Sequence, residues 1–301
     1  MIPDRTGALV ALVMAAVLAA PRAVQAEDSR PGLAGPFTLT KPAGAGPFPA
    51  VVILHDCSGL GPRSSGAPWR WSTELTKLGY VTIWPDSFSS RDFPDGVCTE
   101  SDRRRRVGPR IRAADAYAAL RFLQATDYVD PKRIAVMGGS HGGSTTLASI
   151  VASDARGAGA GPDFAAAIAL YPSCSASYGD RGNERARDGA AASAQPGGTF
   201  QPLAPTMILT GELDDWTLAA PCRDLAAASA SAGFPVELTV YPGAHHAFDS
   251  PRPERFDANR NNANAPGRRG ATTGGNAEAW ADAKVKVRTF LARHLAPAAV
   301  K

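Results

Sequence analysis

The stretch from Ile134 to Gly143, I-A-V-M-G-G-S-H-G-G, constrains this chain more than any other. An apolar, β-prone run ends in the pentapeptide Gly138-Gly139-Ser140-His141-Gly142, and helix-compatible residues from Thr145 to Val151 follow. Strand, glycine-flanked tight turn and helix, in that order, make a G-x-S-x-G elbow. So sharp a turn puts its central residue in strained backbone geometry. A Cβ two positions to either side would clash, which is why glycine stands there. The strain leaves the Ser140 hydroxyl standing above the sheet edge, as a nucleophile requires. The His141 amide, at the start of the helix, is placed to stabilise an oxyanion.

Around this elbow the chain alternates strand and helix. Ala50 to His55, Tyr80 to Trp84, Ile134 to Met137, Phe164 to Leu170, Thr206 to Leu209 and Val236 to Val240 are short, almost wholly apolar runs. Such runs suit a parallel sheet covered on both faces. Helical stretches lie between them at Trp71 to Leu78, Arg110 to Gln124, Thr145 to Ala152 and Leu218 to Ala232. Gly79 and Gly233 cap the first and the last of these. Ala277 to His294 closes the chain as an amphipathic helix. The alternation predicts an α/β fold, a doubly wound, mostly parallel sheet with helices on both faces. Ser177 to Gln201 and Pro251 to Asn276 read as long irregular loops or insertions beside the presumed site.

Gly7 to Ala20 is apolar, Arg5 precedes it, and Val24-Gln25-Ala26 offers small residues for cleavage. Residues 1–26 therefore read as a signal peptide, with an uncleaved anchor as the alternative, and 27–301 as one domain in the periplasm or outside the cell. Export changes how Cys57, Cys98, Cys174 and Cys222 read. None forms a C-x-x-C pair, so no metal site is expected, and an even number in an oxidising compartment suggests two disulfides. Four cysteines allow three pairings. The net charge of +4 is too small to argue for nucleic acid. Arg103 to Arg106, the only basic run, reads as the solvated approach to a helix.

A serine hydroxyl needs a base, and the base an orienting acid. Behind an elbow of this kind the acid comes next in the chain and the histidine last. Met207-Ile208-Leu209 runs into Thr210-Gly211-Glu212-Leu213-Asp214-Asp215, and Leu238-Thr239-Val240 into Tyr241-Pro242-Gly243-Ala244-His245-His246-Ala247-Phe248. Both clusters fall at the carboxyl ends of expected parallel strands, where such sheets carry their sites. Each holds an adjacent pair, of which one member can serve. Asp214 is favoured, with Asp215 holding the loop, and His246 is favoured over His245. The second oxyanion amide should come from the loop His55-Asp56-Cys57-Ser58-Gly59, and Cys57 is assigned to it. His55, ending a buried strand, is expected to pack or to shape the pocket.

These segments, with Asp86-Ser87-Phe88-x-x-Arg91 and Gly142-Gly143, resemble the dienelactone hydrolase family of α/β-hydrolases from about Phe48 to Phe248 plus the last helix. The resemblance implies the α/β-hydrolase fold. It also settles Asp214 and His246, since the family's acid follows G-x-x and its histidine precedes x-Phe. The namesake enzymes use a cysteine nucleophile where this chain has Ser140, and they grip a substrate carboxylate with two arginines. Arg91 lies near one of those places and is the candidate substrate-binding residue; Ser250 stands where the other would be. The resemblance thus supports an ester hydrolase more than it supports dienelactone as substrate. In this fold the strand before Cys57 neighbours that before Cys98, and the strand before Cys174 neighbours that before Cys222. The expected disulfides are Cys57–Cys98 and Cys174–Cys222.

The function expected is serine-dependent cleavage of a carboxylic ester or lactone, small or polymer-derived, with no cofactor and no metal. Amide cleavage or acyl transfer by the same triad is the enzymatic alternative, and a binding protein on a dead hydrolase scaffold the non-enzymatic one. Oligomeric state is left open.

Overall fold

The computed structural model describes residues 23–24, 37–100, 106–151, 163–175 and 199–296. Its frame is an eight-stranded sheet in the order β1-β2-β4-β3-β5-β6-β7-β8. The strands are β1 (Ala23–Val24), β2 (Phe37–Thr40), β3 (Phe48–Leu54), β4 (Val81–Pro85), β5 (Val129–Gly139), β6 (Ala166–Leu170), β7 (Thr206–Gly211) and β8 (Val236–Tyr241). β3 to β8 run parallel, while β1 and β2 pair antiparallel at the edge beyond β4. The expected doubly wound α/β-hydrolase sheet is therefore present. β2 was not legible as a strand: it is four residues long, Phe-Thr-Leu-Thr, and only Phe37 and Leu39 are apolar.

Among the described residues five α-helices cover the sheet: α1 (Ala67–Lys77), α2 (Pro109–Gln124), α3 (His141–Ser149), α4 (Ala219–Ser231) and α5 (Ala277–His294). Each central strand sends successive side chains to opposite faces. From β3, Val52 and Leu54 join Leu120, Leu123 and Leu147 of α2 and α3, while Val51 and Ile53 join Trp71 and Leu75 of α1 and Val287, Phe290 and Leu291 of α5. Burying each large apolar side chain contributes about 1.5–3 kcal/mol. Helix ends follow the expected chemistry. Gly79 and Gly233 sit just past the ends of α1 and α4 at φ 89° and 86°, a region that a Cβ disfavours. Asn276 caps α5 by accepting from the Ala279 amide.

The reading of Pro251 to Asn276 as irregular is corrected. It holds a two-stranded antiparallel hairpin, β9 (Arg255–Asn261) and β10 (Arg269–Thr273). The polar composition hid it, because the hairpin is largely exposed and is held by side-chain hydrogen bonds to distant loops. Asp215 accepts from the Thr272 amide at 2.8 Å and from its hydroxyl at 2.9 Å. Asn262 donates to the Asp215 carbonyl at 2.9 Å, and the Trp216 indole donates to the Asn261 carbonyl at 2.8 Å. Ser177 to Gln201 lies, apart from 199–201, outside the described residues. Of the basic run only Arg106 is described, with its guanidinium 5.2 Å from the Phe93 ring centre.

Both expected disulfides are formed, Cys57–Cys98 with Cα atoms 4.9 Å apart and Cys174–Cys222 at 5.0 Å. Each joins segments that follow neighbouring strands: β3 to β4, and β6 to β7. Cross-linking a loop of 48 residues restricts the unfolded chain. Cys174→Ser/Cys222→Ser should therefore lose about 2–4 kcal/mol in urea unfolding. An unchanged midpoint would show that this bond does not contribute to stability.

Candidate active site

Three strand ends meet at the site. β5 turns into α3 at Ser140, whose backbone sits at φ 55°, ψ −118°. The turn is held from both sides: the Ser140 amide donates to the Leu170 carbonyl at the end of β6, and the Ser144 amide to the Ser140 carbonyl, each at 2.9 Å. The flanking glycines are required. A Cβ on Gly142 would strike the carbonyl oxygens of Leu54 and His55, and one on Gly138 would lie 2.6 Å from the Gly142 carbonyl.

The loop after β8 brings His246 over this turn, with Nε2 2.9 Å from Ser140 Oγ. On the other side of the ring, Nδ1 lies 2.8 Å from Asp214 Oδ2. Asp214 comes from the loop after β7, and Gly211 lets that loop approach, since a Cβ there would meet the Ala244 carbonyl. Asp214 Oδ1 accepts from the amides of Trp216 and Thr217 at 2.9 and 2.8 Å. Asp214 and His246 are each 2% exposed, so the chain from carboxylate to serine is shielded from water. Within the adjacent pairs the alternatives point away. Asp215 binds Thr272, while His245 faces Glu254 at 3.8 Å.

Thr217 and Tyr171 complete this arrangement, and sequence reasoning missed both. Thr217 Oγ1 lies 2.8 Å from Asp214 Oδ2, 3.0 Å from His246 Nδ1 and 3.1 Å from the Tyr171 carbonyl. The D-x-x-T spacing, with a carboxylate accepting from amides two and three residues on, is a legible turn signal. The Tyr171 ring packs edge-on to His246 with centres 4.8 Å apart, and its hydroxyl donates to buried Asp249 at 2.8 Å. Trp71 also donates to Asp249, at 2.8 Å.

The loop after β3 forms another wall. Asp56 accepts from the Ser58 amide and hydroxyl and from the Ser65 hydroxyl, which fixes the path of Cys57. The Cys57–Cys98 bond and the Val97 amide, 2.7 Å from the Cys57 carbonyl, hold it further. His141 opens α3, so its amide points along the helix axis beside Ser140. His55 is buried rather than facing the cleft. It accepts from the Ser87 amide at Nε2 (3.1 Å), so Nδ1 carries the proton and donates to the Asp56 carbonyl (2.8 Å). Burial, and then the charge of Arg112, push its pKa well below the usual histidine value.

Ser140 and His246 open onto a cleft of about 680 Å³, whose walls include Cys57, Tyr171, Trp216, Ser250 and the hairpin residues Arg255 and Thr273. Arg91 does not reach it. Its guanidinium forms a bidentate pair with Asp115 of α2, both contacts 2.8 Å, and donates to the Ser87 carbonyl at 2.6 Å. Asp115 claims the planar fork that a substrate carboxylate would need. The arginines on the cleft wall are instead Arg63, Arg70, Arg252, Arg255 and Arg260. Arg70 lies on α1 and the others lie in loops and the hairpin, where no periodicity marks a direction. Among the described residues no cluster of histidine, cysteine, aspartate and glutamate could hold a metal.

With this geometry in place, comparison with known proteins is informative. The profile of the dienelactone hydrolase family matches residues 37–295. No curated protein sequence matches. Among solved structures, the chain is similar to a Klebsiella pneumoniae subsp. pneumoniae MGH 78578 protein assigned as a dienelactone hydrolase (18% identity, 86% of this chain and 92% of that one, TM-score 0.57). It is similar to Thermogutta terrifontis esterase 2 phosphorylated by paraoxon (22% identity, 87% and 91% covered, TM-score 0.58). Porphyromonas gingivalis dipeptidyl peptidase 4 matches over 86% of this chain and 33% of its own, at 19% identity and TM-score 0.57. At these identities the structural likenesses speak for the fold.

His55 gives a pH test. A histidine whose folded pKa is depressed contributes stability above its unfolded pKa, near 6.5, and loses it as pH falls below that value, because only the unfolded chain takes up the proton. Nitrogen NMR should show the His55 ring still neutral, protonated at Nδ1, as pH falls below the unfolded value, with stability falling over that range. A ring titrating near pH 6.5 in the folded protein would contradict this.

Proposed function

The chain belongs to the dienelactone hydrolase family of ester hydrolases, and we propose that it is an exported serine hydrolase that cleaves carboxylic esters or lactones through an acyl-enzyme on Ser140. One observation carries the reading: an unbroken line from Asp214 through His246 to Ser140, at 2.8 and 2.9 Å, opening onto a cleft. Ser140 Oγ attacks the carbonyl carbon while His246 Nε2 takes its proton. Asp214, held by two amides and Thr217, keeps the Nδ1–H tautomer and stabilises the cation that forms. The amides of Cys57 and His141 receive the developing oxyanion. His246 returns its proton to the leaving oxygen, and the ester C–O bond breaks. Water, deprotonated by His246, then attacks the acyl carbon and frees Ser140 and the acid.

The cleft's charge favours esters that carry an acidic group. Arg63, Arg252 and Arg255 line it and enter no ion pair among the described residues, while Asp56, the one carboxylate on its wall, is engaged by Ser58 and Ser65. Export is supported by the leader-like residues 1–26 and by the two disulfides. Cleavage after Ala26 would remove β1, a two-residue pairing on the sheet edge. Among the described residues no helix is long and apolar enough to cross a membrane.

Ser140→Ala should lower ester turnover by on the order of 10⁴-fold or more without unfolding the protein. His246→Ala and Asp214→Asn should also cripple it, and His245→Ala should cost much less. Near-native turnover by Ser140→Ala would end this reading, and a reversed order within the histidine pair would move the base by one residue. Arg255→Glu should raise KM for an acid-bearing ester well above its effect on a neutral ester of equal size. Equal effects on both esters would remove the charge preference.

A further inference from the structure

Arg112, on the first turn of α2, is fully buried, 0% exposed. A guanidinium is rarely so deep unless acceptors hold it, and its partners define its use. It has no carboxylate within ion-pair distance among the described residues, since Asp115 is taken by Arg91. Its terminal nitrogens go instead to two segments that are far apart in sequence. Nη2 donates to the His55 carbonyl at 2.7 Å, and Nη1 donates to His141 Nδ1 at 2.6 Å. The Phe88 ring lies 4.9 Å from the guanidinium carbon and covers the group. Burial lowers its pKa to about 10, so it stays charged at neutral pH.

The two acceptors belong to the two segments on which the proposed reaction depends. His55 ends the run into Asp56 and Cys57, and His141 follows Ser140 directly. The Cys57 and His141 amides are the oxyanion donors of that reaction, and they arrive on separate elements: a loop after β3 and the first turn of α3. A rigid planar fork bonded to both segments fixes the distance between them in a way that a flexible point charge does not.

We propose that Arg112 is the positioning residue of the oxyanion hole, its guanidinium setting the spacing between the Cys57 loop and the start of α3. It touches neither substrate nor Ser140 and acts through the His55 carbonyl and the His141 ring. The inference rests on the reading of Ser140 as nucleophile. Donors misplaced by a fraction of an ångström lose transition-state binding while substrate binding survives.

The test uses the full-length protein with Arg112→Lys, which keeps the charge and loses the fork, and His141→Ala, which removes one acceptor and keeps the amide. Active sites are counted by the burst from a p-nitrophenyl ester or by a fluorophosphonate, so that only folded enzyme enters kcat. For Arg112→Lys we expect kcat to fall by about 10–100-fold with KM within about twofold. The Ki of a trifluoromethyl ketone, which mimics the tetrahedral adduct, should weaken by the same factor as kcat/KM. His141→Ala should shift the same parameters in the same direction with a small change in melting temperature. It serves alone if the lysine variant does not fold. Unchanged kcat per active site, or a raised KM with kcat unchanged, would overturn the proposal and leave Arg112 a folding element. A wild-type protein inert to both esters and fluorophosphonate would overturn the underlying reading, and this one with it.

Discussion

The contact on which most of this structure depends is backbone on backbone. The first turn of α3 presses against the end of β3, so close that Gly142 has no room for a Cβ beneath the Leu54 and His55 carbonyls. That approach is possible only if β5 turns into α3 within one residue. The residue is Ser140, which takes a positive φ of 55° and is stitched to Leu170 by its amide. Backbone strain of this size costs about 1–3 kcal/mol. The packing of α3 against β3, β5 and β6 holds it in place. Relaxing the turn would drop the hydroxyl from the sheet edge and move α3, so fold and site stand on one contact.

Everything else at the site arrives by loop and is then fixed by hydrogen bonds. Two amides hold Asp214 Oδ1, and Oδ2, which also meets the Thr217 hydroxyl, is aimed at His246. Aromatic rings of Tyr171 and Trp216 flank the imidazole. Asp215, the carboxylate beside Asp214, anchors the hairpin instead, and the Gly274 amide bonds the His246 carbonyl at 3.0 Å. The hairpin that walls the cleft is therefore tied to both the acid loop and the histidine loop. Movement of that wall would be felt at Asp214 and His246.

This division explains what the sequence could disclose. Ser140 was legible because a strained turn demands glycine at fixed offsets. Asp214 and His246 were legible because parallel strands deliver their loops to one edge, and neighbouring strands likewise foretold both cysteine pairings. Gly79 and Gly233 marked helix ends for the same local reason. Where the deciding partner is remote, the signal vanished. Arg91 looked like a substrate ligand until α2 brought Asp115 against it. The hairpin read as loop because Asp215 and Asn262, not apolar alternation, hold it. Arg112 carried no signal in the sequence, yet α2 packs it face-inward toward His55 and His141. Long side chains choose among partners that only the folded chain supplies.

In the proposed reaction, chemistry passes through a covalent acyl group on Ser140. That step is tested most directly by mixing the enzyme with a p-nitrophenyl ester, quenching in acid within milliseconds to seconds, and weighing the intact protein and its peptides. A burst of about one p-nitrophenol per active site and an acyl mass on the peptide that contains Ser140 are expected. Steady turnover with no burst and no adduct under any quench time, or an adduct on another residue, would contradict it.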